Sequence, residues 1–355
     1  MDLPFQSQQE TTPGFRPGCK ISSAGGAGAG GGLLDMAANL LGAPQDDPWA
    51  DHLRSIELEL APAPFISTAR LQLVRSSEAP QVALGDELRV ELGYDDSLQG
   101  VFTGKVLMLE DSDSRVREIL LGCGGHGLAQ LRQYVSFENQ GLSDVLGQWA
   151  GEAGLGTGNM ESGPRYPFLA IDDSRSLWEW SALLAAHAGA WVWTDADNNL
   201  NCKPPGDPGN RSYSYGSDLL GLRFCERTSL FGEIRVSGEG CAGSQGAQAW
   251  SWLAKNADGI SASTGQGDPQ RLYQSGSLRN QEAAQSFGRG LESGAGRMRQ
   301  AALATVPGSP ELGLGQTFAL SGCPDGRGDG SFIITRVLHR YDKGGFITRL
   351  SGVTA

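Results

Sequence analysis

From Trp49 onward the chain alternates apolar and polar residues with a period of two. Ile56, Leu58 and Leu60 are separated by Glu57 and Glu59, and Leu71 and Leu73 follow Arg70 and Gln72. Leu88, Val90 and Leu92 alternate strictly with Glu87, Arg89 and Glu91. This period predicts strands with one dry face and one wet face. Residues 332–341 are rich in β-branched and aromatic side chains, as strands are. Asp342-Lys343-Gly344-Gly345 then reads as a hairpin turn, with residues 346–350 as the return strand.

The period changes in the middle of the chain. A short strand is predicted over 134–140 and a helix over 142–153, with Ser143 as its N-cap and Gly154 as its stop. A second helix is predicted over 176–188, capped by Asp172, Asp173 or Ser174 and ended by Gly189. Its stripe of Leu177, Trp180, Leu183 and Leu184 has helical spacing. Trp191-Val192-Trp193 enters a hairpin that turns at residues 195–199 and returns over 200–203. After Pro204-Pro205, strands are predicted over 219–224 and 231–236, a Gly/Ser/Ala-rich loop or insertion over 238–270, and a glycine-interrupted helix over 280–302.

The late hairpin has an earlier counterpart. Residues 84–88 answer 314–318, Lys105-Val106-Leu107 answers Arg336-Val337-Leu338, and Leu121-Gly122 answers Ser351-Gly352. The offsets are 315 − 85 = 230, 337 − 106 = 231 and 352 − 122 = 230. That period is far too long for a solenoid, so the reading is two copies of one small β module. The expected class is α+β, mainly β. The expected spans are a Gly-rich leader or arm (1–48), a first β domain (49–133), an α/β insert domain (134–205) and a second β domain with a loop/helix insertion (206–355).

The 355 residues include 52 Gly and 17 Pro, which favours short strands and turns over a helix bundle. Net charge is −12, a poor balance for gripping nucleic-acid phosphates. Six cysteines and four histidines are scattered, with no C-x-x-C pair, so no metal site is expected and the thiols read as reduced. No run of eighteen apolar residues spans a membrane, and the start MDLPFQSQQE lacks a secretory pattern.

Each chemical motif has a plainer account. Gly26, Gly28 and Gly31 fit G-x-G-x-x-G, but no βαβ unit surrounds them. Asp195, Asp197 and Asn199 resemble half of an EF-hand loop, yet Leu200 stands where Gly is required, and a hairpin turn suits them better. Arg327-Gly328-Asp329 lies in a Gly/Asp turn. Cys123 and His126 sit in GCGGHG, which reads as a strand end. Trp191 and Trp193 share a strand face and read as core packing rather than a sugar platform. No catalytic, cofactor or metal residues are assigned.

Three stretches resemble the contractile-tail baseplate hub proteins, the phage late control D family, and the N-terminal part of type VI spike proteins. They are Ser136-Phe137-Glu138-Asn139-Gln140 with LSDVLGQWAGEAGL; Tyr166-Pro167 through Trp178 with ALLAAHAGAWVW; and Val306-Pro307-Gly308-x-Pro310-x-Leu312-x-x-Gly315 with FALSG. The resemblance implies a homotrimer whose subunits each carry two duplicated antiparallel β-barrel tube domains with an α/β domain between them. It implies partners in a tail tube or tube initiator above and a separate central spike below, with a tape-measure protein as a further contact. The implied location is the baseplate of a virion or injection particle assembled in the bacterial cytoplasm. It implies no enzyme activity, no cofactor, no membrane and no sequence-specific nucleic acid. The rival readings are a secreted carbohydrate-binding module or enzyme using Trp191, Trp193, Trp250 and Trp252, and a truncated type VI-like puncturing spike.

Overall fold

A computed structural model describes residues 16–24, 48–238 and 260–355. The protein is α+β and mainly β. A first strand set comprises β1 (Pro17–Ser23), β2 (Leu53–Leu60), β3 (Thr68–Val74), β4 (Glu87–Tyr94), β5 (Ser97–Asp111) and β6 (Val116–Gly122), with helix α1 (Pro48–His52) leading into β2. They pair in the order β1-β4-β5-β6-β3-β2. The alternation delivers its dry face: Ile56, Leu58, Leu71, Leu73, Val90 and Leu92 are wholly buried in one core. Each such side chain contributes about 1.5–3 kcal/mol on leaving water.

β1 lies inside the stretch expected to be a leader. Lys20-Ile21-Ser22 is too brief a pattern to announce a strand. The open edge of β4 supplies its backbone partners, with Ile21 opposite Val90 and buried. Gly26, Gly28 and Gly31 lie outside the described residues.

The middle of the chain forms α2 (Gly125–Gln130), β7 (Val135–Gly141), α3 (Leu142–Glu152), β8 (Gly156–Met160), β9 (Arg165–Ile171), α4 (Leu177–His187), β10 (Trp191–Thr194) and β11 (Asn199–Lys203). Leu142, Leu146 and Trp149 of α3 and Leu177, Trp178 and Leu184 of α4 share one core. Both predicted caps shift. The N-cap of α3 is Gly141, not Ser143, because the Asp144 carboxylate accepts the Gly141 N–H at 3.0 Å. The N-cap of α4 is Ser176, whose hydroxyl accepts the Glu179 N–H while Glu179 accepts the Ser176 N–H. That reciprocal pair satisfies two orphan donors. Asp172 instead folds its own turn, accepting from the N–H and hydroxyl of Ser174. Gly154 and Gly189 end the two helices as expected.

The remainder gives β12 (Asp207–Ser214), β13 (Gly221–Glu226), β14 (Glu233–Gly238), β15 (Ser261–Gly265), β16 (Gln270–Ser275), α5 (Gln281–Arg297), β17 (Gln300–Pro307), β18 (Gln316–Ser321), β19 (Gly330–Asp342) and β20 (Gly345–Thr354). The expected loop over 238–270 contains β15, which joins β14 and β16 in a three-stranded sheet packed on α5. α5 tolerates Gly290, at a cost near 1 kcal/mol, because a Cβ there would lie 2.8 Å from Gly189 Cα at the end of α4.

The second set pairs in the order β12-β18-β19-β20-β17-β13. With β4, β5, β6, β3 and β2 written against β18, β19, β20, β17 and β13, the two orders coincide. One rung fixes the register. Glu59–Thr68–Gly122–Lys105 crosses the first set, and Cys225–Ala301–Val353–Ile333 crosses the second. Two residues further on, each long strand bulges, at Leu107 in β5 and at Thr335 in β19. Gly85 and Gly315 both take a left-handed φ, of 89° and 76°. Each donates its N–H to the strand before the bulge, to Val106 O and Ile334 O. The glycine match in the sequence is therefore correct, but two others slip. The offset along β5 and β19 is 333 − 105 = 228, not 231, and along β6 and β20 it is 353 − 122 = 231, not 230.

Candidate assembly interface

The two sets meet where β2 pairs antiparallel with β19, joining them into one twelve-stranded sheet. Leu58 lies opposite His339, and Glu59 opposite Leu338. Arg336 forms an ion pair with Glu59, and Arg340 stands on the other side of that carboxylate in the register. The covering strand makes the joint dry: Ile56, Leu58 and His339 have no exposed surface. His339 Nδ1 contacts the Thr348 hydroxyl at 2.9 Å, and burial lowers the imidazole pKa to about 4. Phe346, near the tip of β19–β20, is buried in the first core.

The other edges are open among the described residues. β13 pairs only with β17, and its Leu222 and Phe224 are half-buried while Arg223 is exposed. β1 pairs only with β4. Past its bulge, β5 pairs only with β6, so residues 108–111 present a free edge. Unpaired edges of this kind are templates for another strand.

The middle hairpin locks onto the first set. The Asp195 carboxylate accepts from the N–H groups of Asp197 and Asn199 and from the side-chain amides of Asn199 and Asn201. That shapes a turn whose Asn198 donates to Glu87 Oε1 at 3.1 Å and accepts from the Gly124 N–H at 3.0 Å. Asp197 pairs with Arg89, and the Thr103 hydroxyl donates to Ala196 O at 2.6 Å. A cavity of about 250 Å³ remains where this hairpin and the two sets meet, lined in part by Trp193, Lys203 and His339.

No protein-family model matches the chain, and no curated protein matches it. Solved structures do. The 43 kDa tail protein of prophage MuSo2 from Shewanella oneidensis aligns at 16% identity with a TM-score of 0.66, over 85% of this chain and 94% of that one. A tail protein from Neisseria meningitidis MC58 aligns at 13% identity and 0.62, over 85% and 92%. The E. coli c3393 protein, a type VI secretion component described as similar to the T4 bacteriophage tail proteins gp27 and gp5, aligns at 13% and 0.56, over 86% and 74%. The chain has the tail-protein fold.

Within that tail-protein fold, the motifs singled out in the sequence are spent on local structure. Asp195 is saturated by its own turn, and the described residues contain no cluster of His, Cys, Asp and Glu able to hold a metal. Asp329 accepts the Cys323 N–H at 2.8 Å, which helps hold its carboxyl below the usual range, and Arg327 pairs with Glu226. Cys123 is buried in the first core. Trp193 is 8% exposed beneath the Lys203 ammonium, and Trp191 is half-buried, so neither forms an open platform. Trp250 and Trp252 lie outside the described residues. Sequence reading missed Asn198, which ties the hairpin to β4. It missed His187 too, buried against Tyr166 and Phe287 with its pKa lowered to about 4 by burial.

Proposed function

We propose that the chain is the structural baseplate hub of a contractile tail or injection particle, acting without catalysis. Three copies form a ring in which residues 49–133 and 206–355 serve as two tube domains, with 134–205 between them. Six similar units then face a sixfold tail tube above, while the trimer as a whole holds a threefold spike, a separate chain, below. The observation that carries this reading is the shared strand order, rung and bulge of the two sets. The tail-protein fold supports it. The net charge of −12 fits a bore that repels DNA or acidic cargo instead of binding it.

Light scattering and electron microscopy test the reading. The expected result is a particle of three times the chain mass, ring-shaped in projection, that retains a spike protein on co-purification. A chain that stays monomeric under assembly conditions overturns the ring. A basic bore in the assembled particle overturns the repulsion.

A further inference from the structure

The internal joint is a template for the joint between subunits. The geometry points to β13 of one copy pairing antiparallel with the free edge of β5, past its bulge, in a second copy of this chain. This inference rests on the ring reading above and names the edges that close it.

Register carries the inference. The shared rung equates Glu59 with Cys225, an offset of 166, and Lys105 with Ile333, an offset of 228. Within the chain, β2 covers β19 with Glu59 opposite Leu338. Transferring both offsets puts Cys225 of one copy opposite position 338 − 228 = 110, which is Glu110, of the next. Glu226 then faces Leu109, and Phe224 faces Asp111. Both edges are unpaired among the described residues. The burial record agrees. Ile56 and Leu58, covered by β19, have no exposed surface, while their equivalents Leu222 and Phe224 are only half-buried and have no strand alongside.

Charge gives a second, independent match. In the internal joint the acid Glu59 on β2 lies between Arg336 and Arg340 of β19. In the transferred joint the acid is on the other strand. Glu110 of β5 lies diagonally between Arg223 of β13 and Arg227, the residue just past the end of β13, all three exposed. Diagonal neighbours on a sheet face are within reach of long side chains, and opposite charges there attract. The hairpin tip differs as well. β19 continues seven residues past its bulge, and its turn brings Phe346 into the first core, whereas β5 continues four and turns through Ser112, Asp113 and Ser114. The joint between copies is therefore shorter and more polar than the joint within one, and more sensitive to salt.

The test is E110C in the full chain, cross-linked to native Cys225 by mild oxidation or a short bis-maleimide and read on a denaturing gel, with E110C/C225S as control. The expected result is a ladder ending in a covalent trimer that the control lacks. Charge reversal by R223E/R227E is expected to weaken trimer formation about tenfold or more, with recovery on adding E110R. A trimer in light scattering with no ladder, together with an R223E/R227E variant that still forms trimers normally, overturns the edge assignment and leaves the hub reading standing. A monomer under assembly conditions overturns both.

Discussion

β2 and β13 occupy the same place in two strand sets of the same order, yet one has a strand along its outer edge and the other has none. On β2, Ile56 and Leu58 are sealed by β19; on β13, Leu222 and Phe224 keep part of their surface in water. The sequences differ less than the outcomes. Both strands alternate apolar with polar residues, and both belong to the rung that locates the bulge. Burial at these positions is thus set by which strand lies alongside, not by the residues themselves.

Truncation is the strongest way to break this contrast. Leu58→Ala opens space in a sealed joint and is expected to cost about 3–5 kcal/mol in urea unfolding of the isolated chain. Phe224→Ala is expected to cost less than half of that in the monomer and to approach it once a trimer forms. Equal costs in the monomer would mean that β13 is already covered.

Acid sharpens the contrast next. His339 sits in the sealed joint with its pKa lowered to about 4 by burial, while its equivalent on β5 is Asp111, held below the usual carboxylate range by hydrogen bonding to Arg117. Below about pH 6.5 the unfolded chain protonates this histidine and the folded chain does not, so stability falls as pH drops toward 4. His339→Leu is expected to remove about 1.4 kcal/mol per pH unit from the slope of stability between those values. Asp111→Asn is expected to leave the slope in that window nearly unchanged, because the unfolded carboxyl takes up its proton only at about pH 3.9 and the folded one lower still. Urea titrations at several pH values measure both.

The smallest effect concerns the charged rim. Arg336 and Glu59 have side chains 55% and 32% exposed, so Glu59→Gln is expected to cost about 0.2–1 kcal/mol. The difference should vanish in 1 M salt, and a cost that persists there would mean the pair is shielded from solvent.

The strands of the first set were legible because each buries a continuous apolar face, as Leu88, Val90 and Leu92 do. The internal repeat was legible in outline and slipped in register. Lys-Val-Leu and Arg-Val-Leu look alike in any strand, whereas the shared feature is a backbone bulge that falls on Leu107 in one copy and Thr335 in the other. β15 was illegible for another reason. Its Ser261-Ala262-Ser263-Thr264 offers one small apolar side chain, and α5 supplies the cover. The caps failed at short range: Asp144 reached back to Gly141, which made a glycine the first cap of its helix. The candidate interface was not readable at all, since no local pattern says which edges lie side by side.

The link from β2 to β3 has 7 residues, 61–67, and the link from β13 to β17 has 73, 227–299. Around the proposed ring of three chains, the bulky link would recur at every second unit. A neighbour that touches only the strands counts six alike positions, and one that touches the bulky links counts three. The change of count would then be carried by segments present once per chain, this link and the middle elements between the two sets, leaving the strands free to stay nearly the same.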